Sequence, residues 1–177
     1  MSARARSILE RRKGLHTMAP EPVPVEWRLS SSNGYVRLIC ALEPVADPPF
    51  AHRARLEYEL PGQIGAVARA EVPRLAISRS RLREFLSIVD SFVSQPLDDL
   101  RSQRFSHTVE LAENSSDALR LEFGPRPDVI TGTNGIGCTV EIGSSSFAAR
   151  VSFRTDLTCL QSLADEVGLV LAASERA

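Results

Sequence analysis

Residues 75–94 read LAISRSRLREFLSIVDSFVS, and the reading of this stretch decides the fold. Leu75 and Ile77 stand two apart, as on one face of a strand. From Ser80 to Ser94 the spacing changes: Leu82, Phe85, Leu86, Val89, Phe92 and Val93 fall at i, i+3, i+4, i+7, i+10 and i+11, which puts one apolar stripe on a helix. Ser78 or Ser80 offers an oxygen to the unbonded amides of the first turn, and Pro96 stops the helix. The chain therefore passes from strand to helix near residue 79.

The same change of period recurs at residues 151–157, VSFRTDL. Val151 and Phe153 alternate, and Leu157, Leu160, Ala164, Val167 and Leu171 then follow at helical spacing, with Thr155 or Asp156 as cap and Gly168 expected to shorten the helix. Leu75 and Ile77 map onto Val151 and Phe153 with an offset of 76, whereas Leu82, Phe85, Val89 and Phe92 map onto Leu157, Leu160, Ala164 and Val167 with an offset of 75. One architecture is used twice, with a residue of slack in the turn.

Working outward, each strand-to-helix junction is preceded by strand patterns. Val25–Leu29 and Tyr35–Leu42 flank Ser30–Gly34, where Asn33-Gly34 is a hairpin signal because both residue types tolerate positive φ. Trp27 is expected to pack at the sheet. Pro44–Pro49 breaks the chain and places His52 in a 44–53 loop. Leu56, Tyr58 and Leu60 then alternate with Arg55, Glu57 and Glu59, the pattern of a half-buried antiparallel strand. Pro61-Gly62 turns it, and Ile64–Val72 continues until Pro73, which lacks the N–H a ladder needs, interrupts. The second set comprises Thr108–Ala112, a turn at 114–117, Leu119–Phe123, a Gly/Pro-rich connection from Gly124 to Gly137, Cys138–Ile142, a turn at 143–146 and Phe147–Phe153. The expected fold is α+β: two antiparallel β-meanders each followed by one amphipathic α-helix, with the sheets packed on the two helices. Residues 25–177 form a single domain on this reading, with halves 25–96 and 105–173.

Composition is consistent with a folded core. The 177 residues are 43% hydrophobic and 24% charged, near the average of globular domains. Cys40, Cys138 and Cys159 show no CxxC and no histidine close by, so they read as small buried hydrophobes in a reducing compartment rather than as disulfides or zinc ligands. No apolar run approaches the roughly 20 residues that cross a bilayer, and no apolar stretch follows the N-terminal charges. A soluble, cytoplasmic protein is expected, and a single lysine, Lys13, among 21 basic residues suggests a GC-rich bacterial genome. Formal charge is −1, but residues 1–16 carry Arg4, Arg6, Arg11, Arg12 and Lys13 against Glu10, a net +4, which leaves −5 for the remainder. That basic segment and the proline-rich 19–24 are read as an arm outside the domain, a disordered tail or residues upstream of a true start at Met18.

Motifs for chemistry are missing from both junctions. Neither has the GxSxG of a nucleophile elbow, and Gly132–Gly137 (GTNGIG) has no Lys-Ser/Thr and precedes a strand instead of a helix N-terminus. His16, His52 and His107 have no metal-ligand spacing. Asp98-Asp99 and Asp165-Glu166 read as solvated charge. Catalysis, a cofactor and a bound metal are accordingly not expected. Arg79, Arg81 and Arg83 surround a helix N-terminus, where positive charge is locally unfavourable, so the cluster is a candidate contact for an acidic partner or phosphate. Without interleaved aromatics it does not point to nucleic acid.

Arg55–Leu60, Val72–Val93 and Cys138–Leu171 together resemble bacterial WapI-type immunity proteins, in which meanders are each followed by a helix. VSFRTDL at 151–157, with Leu160, Leu163 and Ala164 after it, is similar to the strand-then-helix endings found there. The resemblance implies a small cytoplasmic protein that binds and blocks a cognate toxin without catalysis of its own. The alternatives are a small-molecule-binding domain or enzyme with Gly124–Gly137 as a lid, and a homo-oligomeric scaffold joined through strand edges. The segments that do not repeat supply the candidate partner contacts: His52 from the 44–53 loop, Arg79, Arg81 and Arg83 from the turn, and Asn134 from the Gly-rich segment.

Overall fold

Packing the two apolar stripes against the two sets of alternating strands yields the observed architecture. The computed structural model describes residues 25–43, 51–95 except 61 and 64, 106–126 except 115, and 135–175. The first meander is β1 (Glu26–Ser30), β2 (Val36–Leu42), β3 (Ala51–Glu59) and β4 (Val67–Ala76), followed by α1 (Arg79–Ser94). The second is β5 (His107–Glu110), β6 (Ala118–Arg126), β7 (Gly135–Ser144) and β8 (Phe147–Thr155), followed by α2 (Leu157–Ser174). Each meander is a four-stranded antiparallel sheet with neighbours in chain order.

One continuous core joins the halves. Trp27, Leu29, Leu38 and Leu56 project from the first sheet, Leu121, Phe123, Val140 and Ile142 from the second, and all are buried with Leu82, Phe85, Val89 and Phe92 of α1 and Leu160, Leu163, Val167 and Val170 of α2. The Phe85 ring lies 5.4 Å from Trp27 and 6.4 Å from Phe123, and Phe92 lies 5.6 Å from Phe123, so α1 bridges the two sheets through aromatic contacts. By length and composition α2 is apolar enough to cross a membrane; here its apolar residues Leu160, Leu163, Val167, Val170 and Leu171 are buried in the core, while Leu169 is exposed.

The halves also exchange backbone hydrogen bonds reciprocally. Ser32 N, in the first hairpin, donates to Arg154 O at the end of β8 (2.8 Å), and Glu113 N, after β5, donates to Ala76 O at the end of β4 (3.0 Å). Thr155 Oγ1 adds a bond to Ser30 O at 2.9 Å, and Glu166 on α2 accepts from Arg28 N at 2.7 Å, which satisfies part of the open edge of β1. Each strand-to-helix junction thus holds the first hairpin of the other half.

Several sequence expectations need correction. His52 is not in a loop: β3 begins at Ala51, and His52 shares the inner phase of Ala54 and Leu56, fully buried. Pro73 does not end its strand, because β4 is an edge strand and the register shifts there from Ala54↔Val72 to His52↔Leu75, a bulge that absorbs the missing N–H. At the first hairpin only Gly34 has positive φ (76°); the turn closes with Gly34 N to Ser31 O, and Asn33 instead accepts through Oδ1 from Ser31 Oγ and Tyr35 N. The ends of the Gly-rich connection are ladder, with Gly124 opposite Gly137 and Pro125 opposite Ile136; residues 127–134 lie outside the described residues. Ser78 and Asp156 are the caps, accepting from Arg81 N (3.3 Å) and Cys159 N (2.9 Å), whereas Thr155 is used in the cross-half bond. Gly168 does not shorten α2, which runs to Ser174.

Two substitutions test this arrangement. Phe85→Ala removes the ring that joins the sheets and is expected to cost about 3–5 kcal/mol, with both halves melting in one transition by circular dichroism. A Cβ at Gly168 meets nothing within 4 Å, so Gly168→Ala is expected to stabilise by about 0.5–1 kcal/mol, read as a rise in Tm.

Candidate functional site

The outward faces of the sheets carry the polar residues, and their charges are arranged in two ways. On the first sheet every carboxylate meets an arginine: Glu26 with Arg28, Glu59 with Arg37 at 2.8 Å, Glu57 with Arg69 at 2.9 Å and Arg55 at 3.1 Å, and Glu43 and Glu71 with Arg53 at 3.2 and 3.7 Å. These are exposed or half-exposed pairs, each contributing at most about 1 kcal/mol. Their effect is to leave that face electrically balanced.

The second arrangement is unbalanced. A groove of about 540 Å³ opens between the first turn of α1 and the β5–β6 hairpin, lined by Arg81, Glu110, Glu113, Asn114, Asp117, Arg120 and Glu141. Pairing of β5 with β6 and β6 with β7 sets Arg120 opposite both Glu110 and Glu141, so these three side chains share one face of the sheet. Glu113 is anchored through its backbone to Ala76, and the turn closes with Asp117 N to Asn114 O at 3.2 Å. Among the described residues none of the four groove carboxylates enters an ion pair. Arg81 is held instead by Glu84 at 3.2 Å. Four carboxylates against two arginines make the groove a site of excess negative charge, able to attract cationic side chains.

The arginines singled out from the sequence diverge. Arg79 donates to the carbonyl of Ser174 and Arg83 pairs with Glu175 at 2.9 Å, so both serve the C-terminal end of α2. Positive charge is unfavourable at the start of α1 but favourable at the negative end of the neighbouring helix, which accounts for the conflict noted in the sequence. Only Arg81 reaches the groove. His52 is buried in β3, so the described members of the expected set do not form one site, and Asn134 lies outside the described residues. The sequence marks residues 114–117 as a turn and shows the outward phase of Glu110, Arg120 and Glu141, but the convergence of these residues depends on strand register.

Two smaller depressions lie on the outer faces. One, of about 240 Å³, sits where Gly124 and Gly137 face each other without side chains, beside Glu122, Thr139 and Ser152. The other, of about 320 Å³, has Ile39 and Ala41 as its floor, between Glu26, Glu43, Arg53 and Arg55. No protein-family model, curated protein or solved structure matches the chain.

Among the described residues no group of three or more His, Cys, Asp and Glu is disposed to hold a metal ion. The cysteines are free thiols; burial pushes Cys40 and Cys138 well above the usual thiol range, and desolvation followed by the Asp156 carboxylate raises Cys159. All three are therefore protonated near neutral pH.

Because the thiolate is disfavoured only in the fold, the stability tied to these groups is fully present below their unfolded pKa and is lost as pH rises above about 8.5. Melting curves from pH 7 to 10 are expected to show Tm falling over that interval. At pH 7.5 the native thiols should react with a maleimide at least ten-fold more slowly than in denaturant, with half-buried Cys159 the fastest.

Proposed function

We propose that this chain is a non-catalytic binding protein whose acidic groove receives basic side chains of a partner protein, the mode of action of a bacterial immunity protein that neutralises a cognate toxin. The observation that carries the reading is the set of four carboxylates, Glu110, Glu113, Asp117 and Glu141, left without ion pairs on a surface where most others are paired. An inhibitor needs a stable, shaped and charged surface rather than reacting groups. A groove with this charge excess favours a cationic partner, such as a nuclease that itself binds phosphates, and speeds their encounter at low salt. The resemblance in the paired strand-then-helix endings supports the same reading.

A second reading rests on the notch at Gly124 and Gly137, whose missing side chains expose sheet backbone to a flat small molecule. A rise in Tm with one metabolite from a broad panel, by mass action, and its loss in Gly137→Val, would favour that reading over the groove.

The groove reading is tested by co-expressing the chain with the product of a neighbouring toxin-like gene. Rescue of growth and a stable complex are expected. Reversing two groove charges with Glu113→Lys and Asp117→Lys is expected to weaken the complex at least ten-fold with little change in Tm. Failure to rescue or to form a complex overturns the immunity reading; a complex indifferent to these substitutions overturns the groove.

A further inference from the structure

Leu60 N donates to Ala66 O at 3.0 Å, which makes residues 60 and 66 a hydrogen-bonded pair of the β3–β4 ladder. Such pairs alternate between antiparallel strands, so Ala68, Ala70 and Val72 turn their backbone groups towards Tyr58, Leu56 and Ala54 of β3. Val67, Arg69 and Glu71 turn theirs outward. Among the described residues β4 pairs with β3 alone, and the side chains of these three residues are exposed or half-exposed. The outward edge of β4 is thus open over this stretch. Set against its own reverse, the segment 67–73 (VARAEVP) matches at every position when the two strands cross at Ala70. Val67 then falls opposite Pro73, Ala68 opposite Val72, Arg69 opposite Glu71 and Ala70 opposite itself.

We propose that this edge binds a second copy of the chain, β4 against β4 antiparallel about a two-fold axis at Ala70, which joins the two four-stranded first sheets into one. Arg69 and Glu71 of each copy exchange backbone hydrogen bonds with Glu71 and Arg69 of the other. On the outer face the row across the join runs Glu57, Arg69, then Glu71 and Arg55 of the second copy, so the charges alternate in sign. Moving the axis to Arg69 or to Glu71 sets like charges directly opposite, which is destabilising. Charged edges ordinarily keep strands apart. This edge places opposite charges together only against its own reverse, which selects a second copy over an unrelated strand, and Pro73, without an N–H, ends the ladder. The open edge of the other sheet has no such match: Ser32 N occupies Arg154 O on β8, and the charges of that outward phase, Arg150 and Arg154, are both positive. A strand pair of this length buries less than about 1,200 Å², the size of a transient interface. Ala76 O, which holds Glu113 at the groove wall, lies beyond the end of the shared ladder in each copy. The dimer therefore carries one acidic groove past each end and can engage two cationic partners at once.

The inference goes beyond the binding reading above and does not depend on it. Sedimentation velocity of the full chain, at concentrations rising to the order of 100 µM as suits a transient interface, is expected to show a reversible dimer. Arg69→Glu sets like charges together at both symmetric pairs and is expected to weaken the dimer about ten-fold. Combining Arg69→Glu with Glu71→Arg restores opposite charges and should restore dimerisation, with circular dichroism melts at low concentration unchanged in both variants. Ala70→Cys should give a disulfide-linked dimer on mild oxidation, because facing residues of a non-hydrogen-bonded pair have Cα atoms about 4.5 Å apart. Ala68→Cys, which faces Val72 of the second copy, should not. A chain that stays monomeric throughout, a dimer indifferent to Arg69→Glu, a loss that the charge exchange fails to restore, or equal linking by the two cysteine variants overturns the inference. These measurements use the chain alone, so a failed toxin complex leaves them intact, and a monomer leaves the partner experiment intact.

Discussion

The packing of Phe85 between Trp27 and Phe123 is the contact on which the rest of this structure depends. A four-stranded meander with one helix buries one face of its sheet only in part, and β1 and β5 would each keep an open edge. Placing an α1 aromatic against one residue of each sheet lets a single helix close both layers. The reciprocal backbone bonds, Ser32 to Arg154 and Glu113 to Ala76, then follow from the same placement, because each strand-to-helix junction must end beside the opposite hairpin.

That constraint also shapes the electrostatics. Holding the start of α1 beside the end of α2 brings Arg79 and Arg83 to the carbonyl end of a helix, where they are useful. It turns Arg81 the other way, towards the β5–β6 hairpin, and brings it to the rim of a groove whose acids are unpaired. On the first sheet, by contrast, regular register sets arginines and glutamates within reach of one another across neighbouring strands, and the charges cancel. On the first sheet the facing charges pair; where the start of α1 meets the second sheet and its β5–β6 hairpin they do not.

Much of the fold was legible because it depends on period. The change from Leu75 and Ile77 to Leu82, Phe85 and Val89 marks a strand-to-helix boundary in any context, and it recurs at Val151, Phe153, Leu157, Leu160 and Ala164 with near-equal spacing; the α+β class and both caps' neighbourhoods followed from it. What failed depended on tertiary context. Pro73 is tolerated only because β4 is an edge strand carrying a bulge, and His52 is buried only because β3 starts earlier than its clear alternation suggests. The groove was illegible for the same reason: Glu110, Glu113, Asp117 and Glu141 come from three separate segments, and nothing in their local spacing tells which strands lie side by side.

The carboxylate of Glu166 that caps Arg28 N has a consequence for synthesis. The two residues are 138 positions apart, so the edge of β1 is complete as a strand long before its cap exists. At ribosomal rates of about 5–20 residues per second, the first sheet waits on the order of ten seconds with that edge open. During this interval the nascent chain presents a ready template for pairing with another chain. The N–H of Arg28 on that edge thus finds its acceptor only once α2 has been made.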